Sequence, residues 1–161
     1  MSAEANPAQR PLDAPDDNAR LMARLATDFV LRSLQLVARQ HDGDLIMAIV
    51  AAAIVSANTA HLNPIAGAPA RHANLDDAPP DDARRPVSVL AISGSLGLPF
   101  ETTRRYVNRL IASGQCRRVK GGVLANVEAL TTPENNAVIA GNASNLRRLF
   151  RDLKRGGVTL D

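Results

Sequence analysis

Aromatic residues are nearly absent from this chain. Among its 161 residues only Phe29, Phe100, Tyr106 and Phe150 are aromatic, and there is no tryptophan. Hydrophobic residues still make up 45% of the chain and charged residues 22%, which is the balance of a globular protein rather than a disordered one. The core must therefore come from leucine, isoleucine, valine and alanine, and this composition favours helices over a β-sandwich.

Cysteine is almost missing as well. Cys116 is the only one, so no intramolecular disulfide can form and a disulfide scaffold is excluded. Its neighbours Arg117 and Arg118 could lower the thiol pKa for redox sensing, but we favour a small residue that fills space. The first twenty residues lack the apolar core of a secretory signal, so we expect a cytoplasmic protein.

Recognisable catalytic and metal-binding patterns are also lacking. The sequence contains no nucleophile–base pair, no glycine-rich phosphate loop and no HExxH motif, so we expect neither an enzyme nor a cofactor. His61 and His72 have no paired ligands at metal spacing. The 41–44 segment, HDGD, is more simply a capped turn than a metal site, and we expect no bound metal.

The net charge of +3 conceals an uneven distribution. Residues 1–82 carry 6 basic and 11 acidic side chains, whereas residues 83–161 carry 13 basic and 5 acidic ones. A basic half without aromatic stacking platforms favours a nucleic-acid duplex or an acidic surface as partner, more than single strands.

Proline marks two segments that look unstructured. Residues 1–17 and 62–86 hold eight of the ten prolines. We interpret residues 1–17 as a disordered N-terminal tail and residues 62–86 as a flexible insertion, since 25 residues is long for a loop. The rest of residues 18–161 is expected to form one domain.

Helical patterns flank the insertion. Apolar residues recur at helical spacing over 18–40, and Asp44 is a suitable N-cap for a second helix that starts with eleven consecutive apolar residues. A membrane span needs about twenty such residues, so we favour a helix buried on nearly all sides over a membrane helix.

The second half of the chain predicts three more helices and a hairpin. Ser88 can cap a short helix, and residues 99–114 form a longer one that ends at Gly114. Residues 115–125 predict two strands around a tight Gly121–Gly122 turn. A threonine and Pro133 begin a last helix, which stops in basic residues at Gly156.

Two short helices, a glycine turn and a basic hairpin resemble bacterial winged helix-turn-helix transcription regulators of the broad MarR and GntR type. The residues that carry the resemblance are Leu96, Gly97, Leu98, Thr102, Thr103, Arg104, Leu110, Gly114, Arg117 and Arg118. The resemblance implies a mostly α fold with a small β-hairpin wing, in which residues 86–125 form the helix-turn-helix and wing. Additional N- and C-terminal helices would flank this winged helix-turn-helix.

The 99–114 helix has one face that can bury and one that cannot. Thr103, Tyr106 or Val107, and Leu110 follow an i, i+3/i+4, i+7 pattern. The remaining face presents Phe100, Glu101, Arg104, Arg105 and Asn108. Arginine can bridge guanine O6 and N7, and asparagine can bridge adenine N6 and N7, in the major groove.

Phosphates have their own candidate contacts. Thr102 and the start of this helix can serve one phosphate. Arg117, Arg118 and Lys120 beside two glycines form a narrow basic hairpin that fits the backbone or the minor groove. The competing interpretation of these residues is a solvated basic surface without a ligand.

The sequence therefore predicts a sequence-specific transcription regulator that binds double-stranded DNA as a homodimer. The dimer would form through the outer helices, whose apolar stripes include Ile139, Ala143, Leu146, Phe150 and Leu153. The alternative is a winged-helix protein–protein interaction module that docks an acidic partner.

Overall fold

The computed structural model describes residues 18–63 and 71–159. The disordered tail predicted over residues 1–17 lies outside them. Six α-helices and two antiparallel strands follow one another as α1 Ala19–Arg39, α2 Leu45–Thr59, α3 Val89–Leu96, α4 Phe100–Ala112, β1 Cys116–Val119, β2 Gly122–Ala125, α5 Val127–Leu130 and α6 Pro133–Arg155. The expectation of a mostly helical chain with one small hairpin is confirmed.

Side-chain caps fix the start of three helices. The Asp44 carboxylate accepts a hydrogen bond from Met47 N at 3.0 Å, and the Ser88 hydroxyl accepts one from Ala91 N. Thr132 does the same for α6, with Pro133 at the first helical position. Each bond satisfies an amide that the first helical turn leaves without a partner, which is why these boundaries were predictable from sequence.

The hairpin pairs Cys116 with Ala125 and Val119 with Gly122. Its turn is therefore Lys120–Gly121, so the predicted Gly121–Gly122 turn is wrong by one residue. Gly122 has a φ of +144°, and a Cβ there would lie 2.2 Å from the carbonyl oxygen of Val87. The close approach exists because Val87 pairs with Val123 through two backbone hydrogen bonds and adds a third extended segment beside the hairpin.

The core lies between α2, α3, α4 and the hairpin. Its fully buried side chains include Val50, Ile54, Ile92, Val107, Leu110 and Val123. On α4 the buried residues are Thr103, Tyr106, Val107 and Leu110, which confirms the predicted buried face. Tyr106 is the one aromatic side chain among the buried described residues, and the rest of the hydrophobic core is aliphatic apart from Cys116 and Met47.

Asn58 is a polar member of this core and is fully buried. Its Nδ2 donates to the carbonyl oxygens of Arg85 at 2.7 Å and Val123 at 3.1 Å, and its Oδ1 accepts from Ala125 N at 3.0 Å. One side chain on α2 thus joins the hairpin and the chain segment that precedes Val87.

The predicted flexible insertion is anchored at its carboxyl end. Arg84 is buried, and its guanidinium donates to the Ala125 carbonyl and pairs with Asp81. Asp81 begins a 3₁₀ turn that ends at Ala83. Residues 81–86 therefore belong to the folded unit.

Helices α1 and α6 lie side by side and run antiparallel. A Cβ on Gly141 would meet Leu36, and one on Gly156 would meet Leu21, so small residues allow close approach at both ends of the pair. No residue of α1 is fully buried, and Leu153 is the one buried residue that α6 contributes within the described chain.

Helix α2 is less enclosed than the sequence predicts. The window 45–62 is long and apolar enough to cross a membrane, but a core helix of a soluble protein passes the same test. Only 28% of this window is buried, so burial on nearly all sides is wrong. One face, with Val50 and Ile54, fills the core, whereas Ala51, Ala52 and Val55 line a cavity.

Candidate functional site

The outward face of α4 carries the side chains that were singled out for base contacts. Glu101, Arg104, Arg105 and Asn108 are exposed, and Phe100 at the start of the helix is 48% exposed. Thr102, the predicted phosphate contact, is half-buried. The helix projects this face because its opposite side is fixed in the core.

Glu101 and Arg104 form an ion pair one helical turn apart. The Arg104 Nε donates to Glu101 Oε2 at 2.8 Å, and a second bond joins Nη2 to Oε1. The hydrogen bond from Arg104 lowers the pKa of the Glu101 carboxyl below its ordinary value. The pair holds both side chains extended along the helix surface, so the two are presented together.

The hairpin and α4 meet through Arg118. Its Nη2 donates to Asn108 Oδ1 at 2.7 Å. Lys120 stands exposed at the turn of the hairpin. The hydrogen bond joins the helix face and the hairpin into one continuous basic surface, and we call Glu101, Arg104, Arg105, Asn108, Arg118 and Lys120 the basic face.

Arg117 differs from the other predicted hairpin contacts. Its Nη1 donates to Asn126 Oδ1 at 2.9 Å, and its Nη2 pairs with Asp81. Because Asp81 also pairs with the buried Arg84, Arg117 belongs to a bonded network at the base of the hairpin. Its guanidinium would have to leave this network to reach a ligand.

Arg109 was not among the contact residues predicted from the sequence. Its Nη1 donates to Asp44 Oδ2 at 2.9 Å, and its guanidinium lies 5.1 Å from the centre of the Tyr106 ring, while Arg105 lies 5.5 Å from that centre. The pKa of Asp44 is lowered, first by the hydrogen bond from Met47 N. The i+4 spacing from Arg105 was the signal that places Arg109 beside the basic face.

The remaining candidates gather into no second site. No group of three metal-ligating side chains occurs within residues 18–63 and 71–159. Cys116 is buried, and burial raises its pKa to about 11, the opposite of the lowering that the adjacent arginines could have produced. A thiol held protonated in this way fits a space-filling role and not a reactive one.

Comparisons of the chain with known protein families, with curated protein sequences and with solved structures returned no match.

Proposed function

We propose that this protein is a transcription regulator that binds double-stranded DNA in a sequence-specific manner as a homodimer. The observation that carries the proposal is the 2.7 Å hydrogen bond between Arg118 and Asn108. It joins a helix face suited to the major groove and a basic hairpin suited to phosphates. Glu101 is the one acid on that face.

The order of elements supports a winged helix-turn-helix. Helix α2 is followed by the Val87 segment, then by α3, α4 and the hairpin. Gly97, with a φ of +64°, forms the turn between α3 and α4. Helix α4 would be the recognition helix and the hairpin the wing, which is the architecture expected from the residues that resemble the MarR and GntR type.

The residues of the basic face divide into two roles. Arg104 would have to leave its ion pair with Glu101 to make two hydrogen bonds to a guanine edge, which would free Glu101 to accept one from cytosine N4. Asn108 can make two hydrogen bonds to an adenine edge. Arg118 and Lys120 would neutralise phosphates, which supplies affinity without sequence information. Phe100, half-exposed at the start of α4, can contact a thymine methyl group.

The terminal helices supply the proposed dimer contact. Ile139, Leu146 and Phe150 of α6 are 46%, 41% and 49% exposed, and they lie on one face of the helix. A second copy related by two-fold symmetry would cover this stripe. Two recognition helices at a fixed separation then require a near-palindromic operator with half-sites about 10 bp apart, or a multiple of that.

Binding to duplex DNA at several salt concentrations tests the function. The protein should bind random duplex at low salt and a selected operator more tightly. Arg104→Ala should weaken operator binding by about 1–3 kcal/mol and relax its sequence preference. Arg118→Ala should weaken all sequences alike and reduce the salt slope by about one.

An arginine elsewhere provides the matched control. Arg24 on α1 is exposed and lies outside the basic face, so Arg24→Ala removes the same charge from another surface. Equal loss from Arg24→Ala and Arg118→Ala would mean that only net charge matters. Absence of DNA binding at low salt would overturn the proposal of a cytoplasmic, non-enzymatic DNA-binding regulator. It would favour the alternative, in which the same surface docks an acidic protein partner.

A further inference from the structure

A cavity of about 620 Å³ is lined in part by residues of the hairpin and by none of the residues of the basic face. Its walls come from the end of α1, one face of α2, both strands of the hairpin, α5, the start of α6 and side chains between residues 72 and 79. Cavities of roughly 300–1,000 Å³ accommodate most small-molecule ligands. The space therefore has the size of a binding site and not of a packing defect.

The cavity accounts for part of the incomplete burial of α2. Ala51, Ala52 and Val55 turn toward it, whereas the next face of the same helix fills the core. Alanines at 48, 51 and 52 give the α2 wall of the cavity small side chains. An apolar surface of this kind is stabilised when it is removed from water.

The charges of the lining restrict what can bind. No lysine or arginine is among the described residues that line the cavity, although the whole chain has 19. Burial lowers the pKa of His41, the histidine at the end of α1, so its ring is neutral at pH 7. The acids in the lining are Asp77, which contacts His72 at 3.0 Å, and Glu134. An anionic ligand would find no lysine or arginine partner among these residues.

We propose that this cavity binds a neutral, predominantly apolar small molecule. Amide and hydroxyl groups of Gln40, Thr59 and Asn135 in the lining offer a few hydrogen bonds to orient it. Cys116 and Ala125 form part of the wall, so the bound molecule would contact both strands of the hairpin. Any effect of the ligand on DNA rests on the proposed function, whereas the binding itself does not.

A pair of fluorescent probes tests the proposal without DNA. N-phenyl-1-naphthylamine is neutral and apolar, and 1-anilinonaphthalene-8-sulfonate has the same skeleton with one added sulfonate. The neutral probe should bind saturably to one site per chain. The sulfonate should bind at least about tenfold more weakly, because burying a charge without a partner is costly.

Two cavity-filling variants locate the site. Ala52→Trp on α2 and Ala129→Phe on α5 approach the cavity from different walls, and each should weaken binding of the neutral probe about tenfold or more. Ala57→Trp is the matched control, since Ala57 is exposed on α2 outside the lining.

The outcomes separate cleanly. Loss of binding in both filling variants, with retention in Ala57→Trp, supports the cavity. Equal binding to all three variants would place the probe on an exposed apolar surface such as the stripe of α6 and overturn the proposal. Absence of saturable binding to the wild-type chain would also overturn it, and if one filling variant fails to fold, the other still decides. DNA binding measured on the same samples stays an independent result.

Discussion

The central unit, from α2 to β2, and the terminal pair, α1 and α6, are packed differently. In the central unit a buried aliphatic core surrounds Asn58, whose polar atoms all have partners. In the terminal pair almost nothing is fully buried. Among the described residues, Ser33 Oγ, Asn136 Oδ1 and Asn142 Oδ1 are buried there without a hydrogen-bond partner, whereas the central unit has one such atom, Arg84 Nε.

The difference indicates where stability resides, and it leaves the terminal pair as the proposed site of association. Elements that bury apolar side chains and satisfy their polar atoms open last, while amphipathic helices with few buried contacts open first. The central unit can therefore hold the basic face rigidly. The terminal pair keeps an exposed apolar stripe that a second copy would cover.

Substitution of Asn58 should give the largest of the expected effects, a loss in the free energy of unfolding of the central unit. Asn58→Ala leaves the buried Ala125 amide unpaired and removes a donor from two carbonyl groups. Each unsatisfied buried group costs about 1–3 kcal/mol, so the free energy of unfolding should fall by about 3 kcal/mol or more. Urea unfolding followed by circular dichroism measures this loss.

Asn74→Ala is the corresponding control, because Asn74 is exposed. Its effect on the free energy of unfolding should stay within about 0.5 kcal/mol. Similar losses from both variants would contradict the central place given to Asn58.

Two carboxylates introduced on the α6 stripe should give the second-largest effect, on association and not on folding. Leu146→Asp with Phe150→Asp should turn the dimer into a monomer, because a second copy could no longer bury this surface. Since both side chains are more than 40% exposed, the monomer should keep its helical content. Sedimentation velocity at micromolar concentration reports the mass.

Ala140→Asp with Ser144→Asp places two carboxylates at the same spacing on another exposed face of α6. This control should remain dimeric. A wild-type chain that sediments as a monomer would contradict the dimer, whatever the variants do.

Local features of the fold were readable from sequence, and long-range ones were not. Asp44 and Ser88 were predictable as caps because their partners lie three residues away. The buried face of α4 was predictable because its spacing repeats with the helix. The predicted position of the hairpin turn was wrong by one residue because either glycine, Gly121 or Gly122, can adopt the positive φ of a turn.

The network at the base of the hairpin had no such signal. The hydrogen-bond partners of Asn58 include Arg85 and Val123, which follow it by 27 and 65 positions in the sequence. Arg117 pairs with Asp81, which precedes it by 36 positions. In the sequence, Arg84 and Asp81 belong to a polar, proline-rich segment that gives no sign of being buried. The burial of Arg84 and its pairing with Asp81 depend on the packing of α2 against the hairpin. The basic face itself was predictable, but not the engagement of Arg117 or the contribution of Arg109.

The titration of the Cys116 thiol should give the smallest of the expected effects, and it tests whether water reaches the core of the central unit. Its folded pKa is raised by burial to about 11 from an ordinary 9.0. The folded chain therefore prefers the protonated thiol, and this contribution is fully present below pH 9 and is lost as the pH rises from 9 through 11. Between pH 8 and pH 10 the wild-type chain should lose about 1 kcal/mol more stability than Cys116→Ala, because the two chains differ in this thiol alone. Urea unfolding at the two pH values measures it, and identical losses in the two chains would show that water reaches the thiol in the folded protein.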